Sequence, residues 1–72
     1  MESVIANNVK RIMAAKGLKQ GATGERAGYN PKAFNNMLNG RKLISDMDIL
    51  PICMALGVTP NDLFTTDDPK SA

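Results

Sequence analysis

Residues 30–39 read NPKAFNNMLN, with Gly28 just before them and Gly40 just after. Four of the ten are asparagine, a poor helix former because its amide competes with the backbone for hydrogen bonds. The rest of the pattern is nevertheless helical. Asn30 suits an N-cap, and Pro31 suits the first helical position, where a missing N–H is harmless. Phe34, Met37 and Leu38 fall at i, i+3 and i+4, a narrow apolar stripe. A short helix is therefore predicted, with Lys32, Ala33, Asn35, Asn36 and Asn39 off its buried side. Either these amides are a tolerated solvated surface, or they serve something outside the helix.

The preceding residues favour the second reading. Gln20 to Ala27 has the length of a short helix, yet it holds Gly21 and Gly24, each costing about 1 kcal/mol relative to Ala in a helix interior. Its other apolar positions are small (Ala22, Ala27), so a helix here must lie very close to its neighbour. A short helix, a glycine-bearing turn (AGYN, 27–30) and a second helix make a helix-turn-helix unit. The second helix is then held inward by Phe34, Met37 and Leu38 and presents its polar side to the DNA major groove. An amide offers one donor and one acceptor, matching adenine N6 and N7, and a lysine donates to guanine N7 and O6. Lys32 and Asn36, one turn apart, are the first candidates for base contacts; Asn30, Ala33 and Asn35 are second. Lys19 and Gln20 at the start of the earlier helix suit a phosphate, as do Asn39, Arg41 and Lys42 past the far end of the later one.

On the N-terminal side, Ile5, Val9, Ile12 and Met13 form one stripe of a helix from about Glu2 to Lys16, ended by Gly17, with Leu18 folding back on it. On the C-terminal side, Ile49, Ile52, Cys53 and Leu56 form another stripe, closed by Gly57. Two starts compete for this helix. Ser45 with Asp48 resembles a capping box and Ile44 with Ile49 a hydrophobic staple. That start, however, places Pro51 inside the helix against the carbonyl of Met47. A start nearer Asp48 avoids the conflict and is preferred. Thr59, Pro60 and Asp62 open a fifth short helix ending around Phe64. The expected organisation is one all-α domain of five short helices over residues 1–64, then a disordered tail over 65–72.

The composition sets limits. Seventy-two residues, 43% hydrophobic, make one small domain whose core rests on Ile, Leu, Val and Met, since only Tyr29, Phe34 and Phe64 are aromatic. The five methionines are expected as flexible core filler. The net charge of +2 divides unevenly: residues 1–42 carry eight basic and two acidic side chains, residues 43–72 one basic and five acidic. One face should therefore attract polyanions. No apolar run is long enough to span a membrane, and MESVIANNVKRIM lacks the apolar stretch of a signal peptide. Cys53 is alone, buried and inert on this reading, in a reducing cytoplasm. With no histidine and no base paired to Cys53 or any serine, neither a metal site, a cofactor nor enzymatic chemistry is expected.

The spacing KQ-x7-G-x11-GRK, with F-x2-ML-N-G before the basic pair and ALGVTPNDLF after it, resembles the Cro/CI-type (XRE) helix-turn-helix repressor domains over about residues 4–64. Gln20, Gly28, Leu38, Asn39, Gly40, Leu56, Gly57 and Phe64 stand where that family usually has those types. The resemblance implies a lambda-repressor-like bundle and a transcriptional regulator of double-stranded DNA, working on a palindromic operator as a weak dimer. It further implies phosphate contacts by Gln20 and Asn39 and base reading by the early residues of the recognition helix. The chain departs from the family at Thr23 and Gly24, where Leu and Ala are common, which predicts a loosely anchored second helix. Pro31 also has no donor where the family often has a polar residue. The rival class is a helix-turn-helix fold used to bind protein, such as an antirepressor. The two differ in salt dependence, which is steep for a DNA reader.

Overall fold

The stripe of Val9, Ile12 and Met13 forms the spine of the first helix; the third, fourth and fifth helices pack around it, and the second is held on the third and fourth. The structure, a computed structural model, describes residues 4–64. In chain order it has α1 (Val4–Lys16), α2 (Gln20–Arg26), α3 (Pro31–Leu38), α4 (Asp46–Leu56) and α5 (Pro60–Phe64), with no strand among the described residues. The tail expected over 65–72 and the first turn expected from Glu2 lie outside the described residues. Val9, Phe34, Met37, Ile52 and Leu63, one or two from each of four helices, are the largest fully buried side chains and share one core. Leu18 folds back onto it, its N–H bonding Met13 O at 2.8 Å.

Two side chains that periodicity alone does not single out tie the ends of the chain together. Asn8 is 3% exposed on α1, and its Nδ2 donates to Leu63 O on α5 at 2.7 Å. A buried amide of this kind is tolerated because its donor is satisfied. Lys16 Nζ donates to Leu56 O at 2.9 Å, so the last residue of α1 caps the C-terminus of α4, where a cation suits the helix dipole.

The second helix is closely held, against the loose anchoring expected from Thr23 and Gly24. Thr23 is 2% exposed and its hydroxyl donates to Lys19 O at 2.8 Å. A Cβ added at Gly24 would stand 2.8 Å from Phe34 Cδ2, closer than carbon atoms pack. The missing side chain is what lets α3 lie on α2. Smallness here is a contact, not a gap.

The fourth helix starts at Asp46, not near Asp48 as the proline suggested. The Ser45 N–H and hydroxyl both donate to Asp48 Oδ2, at 2.9 and 3.0 Å. Ile44 and Ile49 are both buried, as a staple requires. The Tyr29 hydroxyl adds a bond of 2.6 Å to Asp48 Oδ1. Together these outweigh the one hydrogen bond that Pro51 cannot donate to Met47. The methionines divide rather than all filling the core: Met13 and Met37 are buried, whereas Met47 and Met54 are 87% and 76% exposed. Met1 lies outside the described residues.

Candidate nucleic-acid interface

The turn between α2 and α3 is built by Gly28, whose φ of 91° is open to glycine, and by Tyr29, which stacks on Phe34 at a centroid distance of 6.0 Å and an angle of 6°. Burial, and then the bond to Asp48, raise the Tyr29 phenol above its ordinary value. The same bond, and next the Ser45 N–H, hold the Asp48 carboxyl below the usual carboxylate range. This clasp joins the helix-turn-helix unit to α4. Sequence reading missed it, because nothing local marks a partner nineteen residues away.

The asparagines of the opening stretch fall into distinct roles. Asn30 is the N-cap of α3, its Oδ1 accepting the Ala33 N–H at 2.7 Å. Asn39 is the C-cap residue, its N–H bonding Asn35 O at 3.0 Å. Asn35 is exposed and accepts from Gln20 Nε2 at 3.0 Å, so a candidate on α2 and one on α3 touch directly. Asn36, half-buried, has no side-chain hydrogen bond among the described residues, and neither has the exposed Lys32. The inward side of α3 is Phe34, Met37 and Leu38, all buried.

Past α3 the chain reverses at Gly40, φ 79°, and the N–H groups of Arg41 and Lys42 both return to Asn36 O at 2.9 and 3.2 Å. Lys42 consequently does not stay at the far end of the helix, where its place in the sequence put it. It lines one shallow depression with Asn30, Pro31, Lys32, Ala33 and Asn36, at the start of α3. Four of the five candidates for base contact thus share a surface with a candidate for phosphate contact. Lys19, Gln20, Asn39 and Arg41 are exposed on the elements that flank it. Lys16, by contrast, is committed to the end of α4, and Arg11 donates to Asn8 Oδ1 at 3.2 Å.

The chain belongs to the helix-turn-helix domain family, which it matches over residues 5–64. This makes it a member of a class of DNA-binding transcription regulators rather than an enzyme, and accords with the resemblance to Cro/CI-type domains. Its fold is similar to that of the clp gene regulator ClgR from C. glutamicum, with a TM-score of 0.78 and 23% identity over 83% of this chain and 78% of that one. It is similar also to the restriction-modification controller protein C.AhdI from Aeromonas hydrophila, with a TM-score of 0.78 and 24% identity over 85% and 92% of the two chains. No curated protein matches it in sequence. Among the described residues no helix is long and apolar enough to cross a membrane.

Proposed function

We propose that this protein is a sequence-specific regulator of double-stranded DNA, a small prokaryotic or phage repressor of Cro/CI type that reads the major groove with α3. The observation that carries this is the division of α3. Its apolar side is buried, while Lys32 and Asn36 on its other side have no structural task and share one surface with Lys42. Side chains without an internal partner, rich in donors and set on a rigid helix, suit the edges of base pairs. Lys32 and Asn36 make the principal base contacts, with Asn30, Ala33 and Asn35 beside them. Lys19, Gln20, Asn39, Arg41 and Lys42 hold phosphates on either side, and Gln20 also positions the Asn35 amide.

The protein works in the cytoplasm as a weak homodimer on a palindromic operator, so that two α3 helices enter successive major grooves. Selection of bound duplexes from a random pool tests the reading. A recovered consensus with two inverted half-sites about 10 base pairs apart is the expected result. Recovery of no common sequence, with duplex barely retarded even at low salt, would overturn it in favour of a protein-binding module.

A further inference from the structure

The fourth helix has two apolar faces, and the fold covers only one. At about 100° per residue, Ile49, Ile52, Cys53 and Leu56 cluster on one side, and all are buried. Met47, Leu50 and Met54 cluster on the opposite side within about 60° of arc. They are 87%, 61% and 76% exposed, and Leu43, just ahead of the helix, is 84% exposed. A helix that is apolar all round belongs in an interior, yet this one lies at the surface. We infer that the outer face of α4, centred on Leu50, is the surface through which two copies of this chain pair, with their α4 helices antiparallel. The inference deepens the dimer of the proposed function, and it rests on the DNA reading only for where the recognition helices end up.

Three features select a second copy as the occupant. First, the stripe reads nearly the same in both directions: Met, Leu and Met at i, i+3 and i+7. An antiparallel partner therefore sets Met47 against Met54 of the second copy and Leu50 beside its counterpart, as a two-fold axis demands. Second, the charges fit that sense of pairing. Residues 43–64 contain no Lys or Arg, and Asp46 and Asp48 sit at the start of α4. Parallel helices would bring these acids together. The antiparallel arrangement sets the acids of the two copies at opposite ends of the paired helices, about 15 Å apart for eleven residues. Third, the area fits. Four such side chains expose on the order of 500 Å² per copy, near the upper limit for a monomer's largest patch. Twice that, about 1,000 Å², is the low end of specific interfaces and gives a weak, concentration-dependent dimer. Residues 65–72, TTDDPKSA, hold no large apolar side chain that could cover the stripe instead. The stripe also begins at Leu43, one residue after Lys42, so it adjoins in the chain the basic surface beside α3.

Sedimentation equilibrium of the full chain across a range of concentrations tests this, with Leu50→Glu as the main variant. The parent is expected to show a monomer–dimer equilibrium. Leu50→Glu should raise the dimer dissociation constant by about thirtyfold or more, as loss of a central anchor does. Its melting temperature should stay near the parent's, because the position is exposed. Should it melt early, Met54→Lys, at a more exposed site, takes its place. Leu50→Cys should form a disulfide-linked dimer under mild oxidation, whereas buried Cys53 in the parent should not. A parent that remains monomeric to about millimolar concentration overturns the inference, as does a Leu50→Glu variant that dimerises as the parent does. Open-ended aggregates in place of dimers overturn it too. Binding to a duplex with one half-site separates this from the DNA reading. Leu50→Glu should bind it as the parent monomer does. Dimers that bind no duplex would remove the DNA reading and leave the α4 interface standing.

Discussion

Two glycines three residues apart on α2 have opposite reasons to be there. Nothing lies within 4 Å of a Cβ placed on Gly21, and its backbone is helical. Gly21→Ala should therefore stabilise the fold by up to about 1 kcal/mol, through helix propensity and a less free unfolded chain. Gly24→Ala gains the same propensity but drives a methyl into the buried Phe34 ring. It should destabilise by about 1–2 kcal/mol net, as overpacking does. Thermal melts of the two variants check both signs. At the proposed interface, Lys32→Ala or Asn36→Ala should each cost about 1–3 kcal/mol at a single base-pair position and relax preference there. Binding to a panel of single-substituted duplexes reads this out. Two variants that keep the parent's preferences at every position would remove the base-reading role.

Among the elements, the bond from Tyr29 to Asp48 matters most, because one carboxylate both caps α4 and holds the turn before α3. Asp48 is depressed in the folded state, so its contribution is complete above the ordinary carboxylate range, about pH 4, and fades as pH falls below it. Tyr29 is raised, so its contribution is complete below about pH 10 and fades above it. Between those limits stability should be flat in both respects. Tyr29→Phe should cost about 1 kcal/mol near neutrality, a modest value because the pair is only part-buried. The variant should also lose stability less steeply than the parent on acidification. Urea titrations at several pH values measure both. An unchanged acid limb would mean that Ser45 and the charge of Lys42 hold Asp48 low without Tyr29.

For the whole molecule, the uneven charge along the chain becomes a partition of surfaces. Among the cations of the first half, Lys16 joins α1 to α4 and Arg11 is engaged within α1 by Asn8, whereas Lys19, Lys32, Arg41 and Lys42 are left exposed on and around α3. Only the second group should count in the salt dependence of duplex binding. With Lys19, Arg41 and Lys42 each neutralising a phosphate while Lys32 reads a base, the affinity of one copy should fall about fortyfold between 50 and 200 mM salt. Arg41→Ala or Lys42→Ala should lower that slope by about one, with no change in sequence preference. A variant at Lys16 should instead lower the melting temperature and leave the slope alone. A slope that responds equally to all three would mean that the partition is wrong.

Helix positions, and the buried stripes of α1, α3 and α4, were legible in the sequence, because periodicity, caps and terminating glycines are local signals. NPKAFNNMLN alone showed a capped helix with one apolar side and amides to spare. The start of α4 was not legible, because a proline's penalty is local, whereas the bonds that outweigh it come partly from Tyr29 in another element. The exposure of Met47 and Met54 was equally hidden. A helix with two apolar faces gives the same composition as a buried one, and only the placement of its neighbours shows which face they cover. The return of Lys42 to the start of α3 likewise depends on the reversal at Gly40 and on two N–H groups sharing Asn36 O. Sequence by itself determined which residues form helices and the apolar stripes by which α1, α3 and α4 face inward. The tertiary structure decided which polar side chains share a surface and which apolar face is left uncovered, because both depend on contacts between residues far apart in the chain.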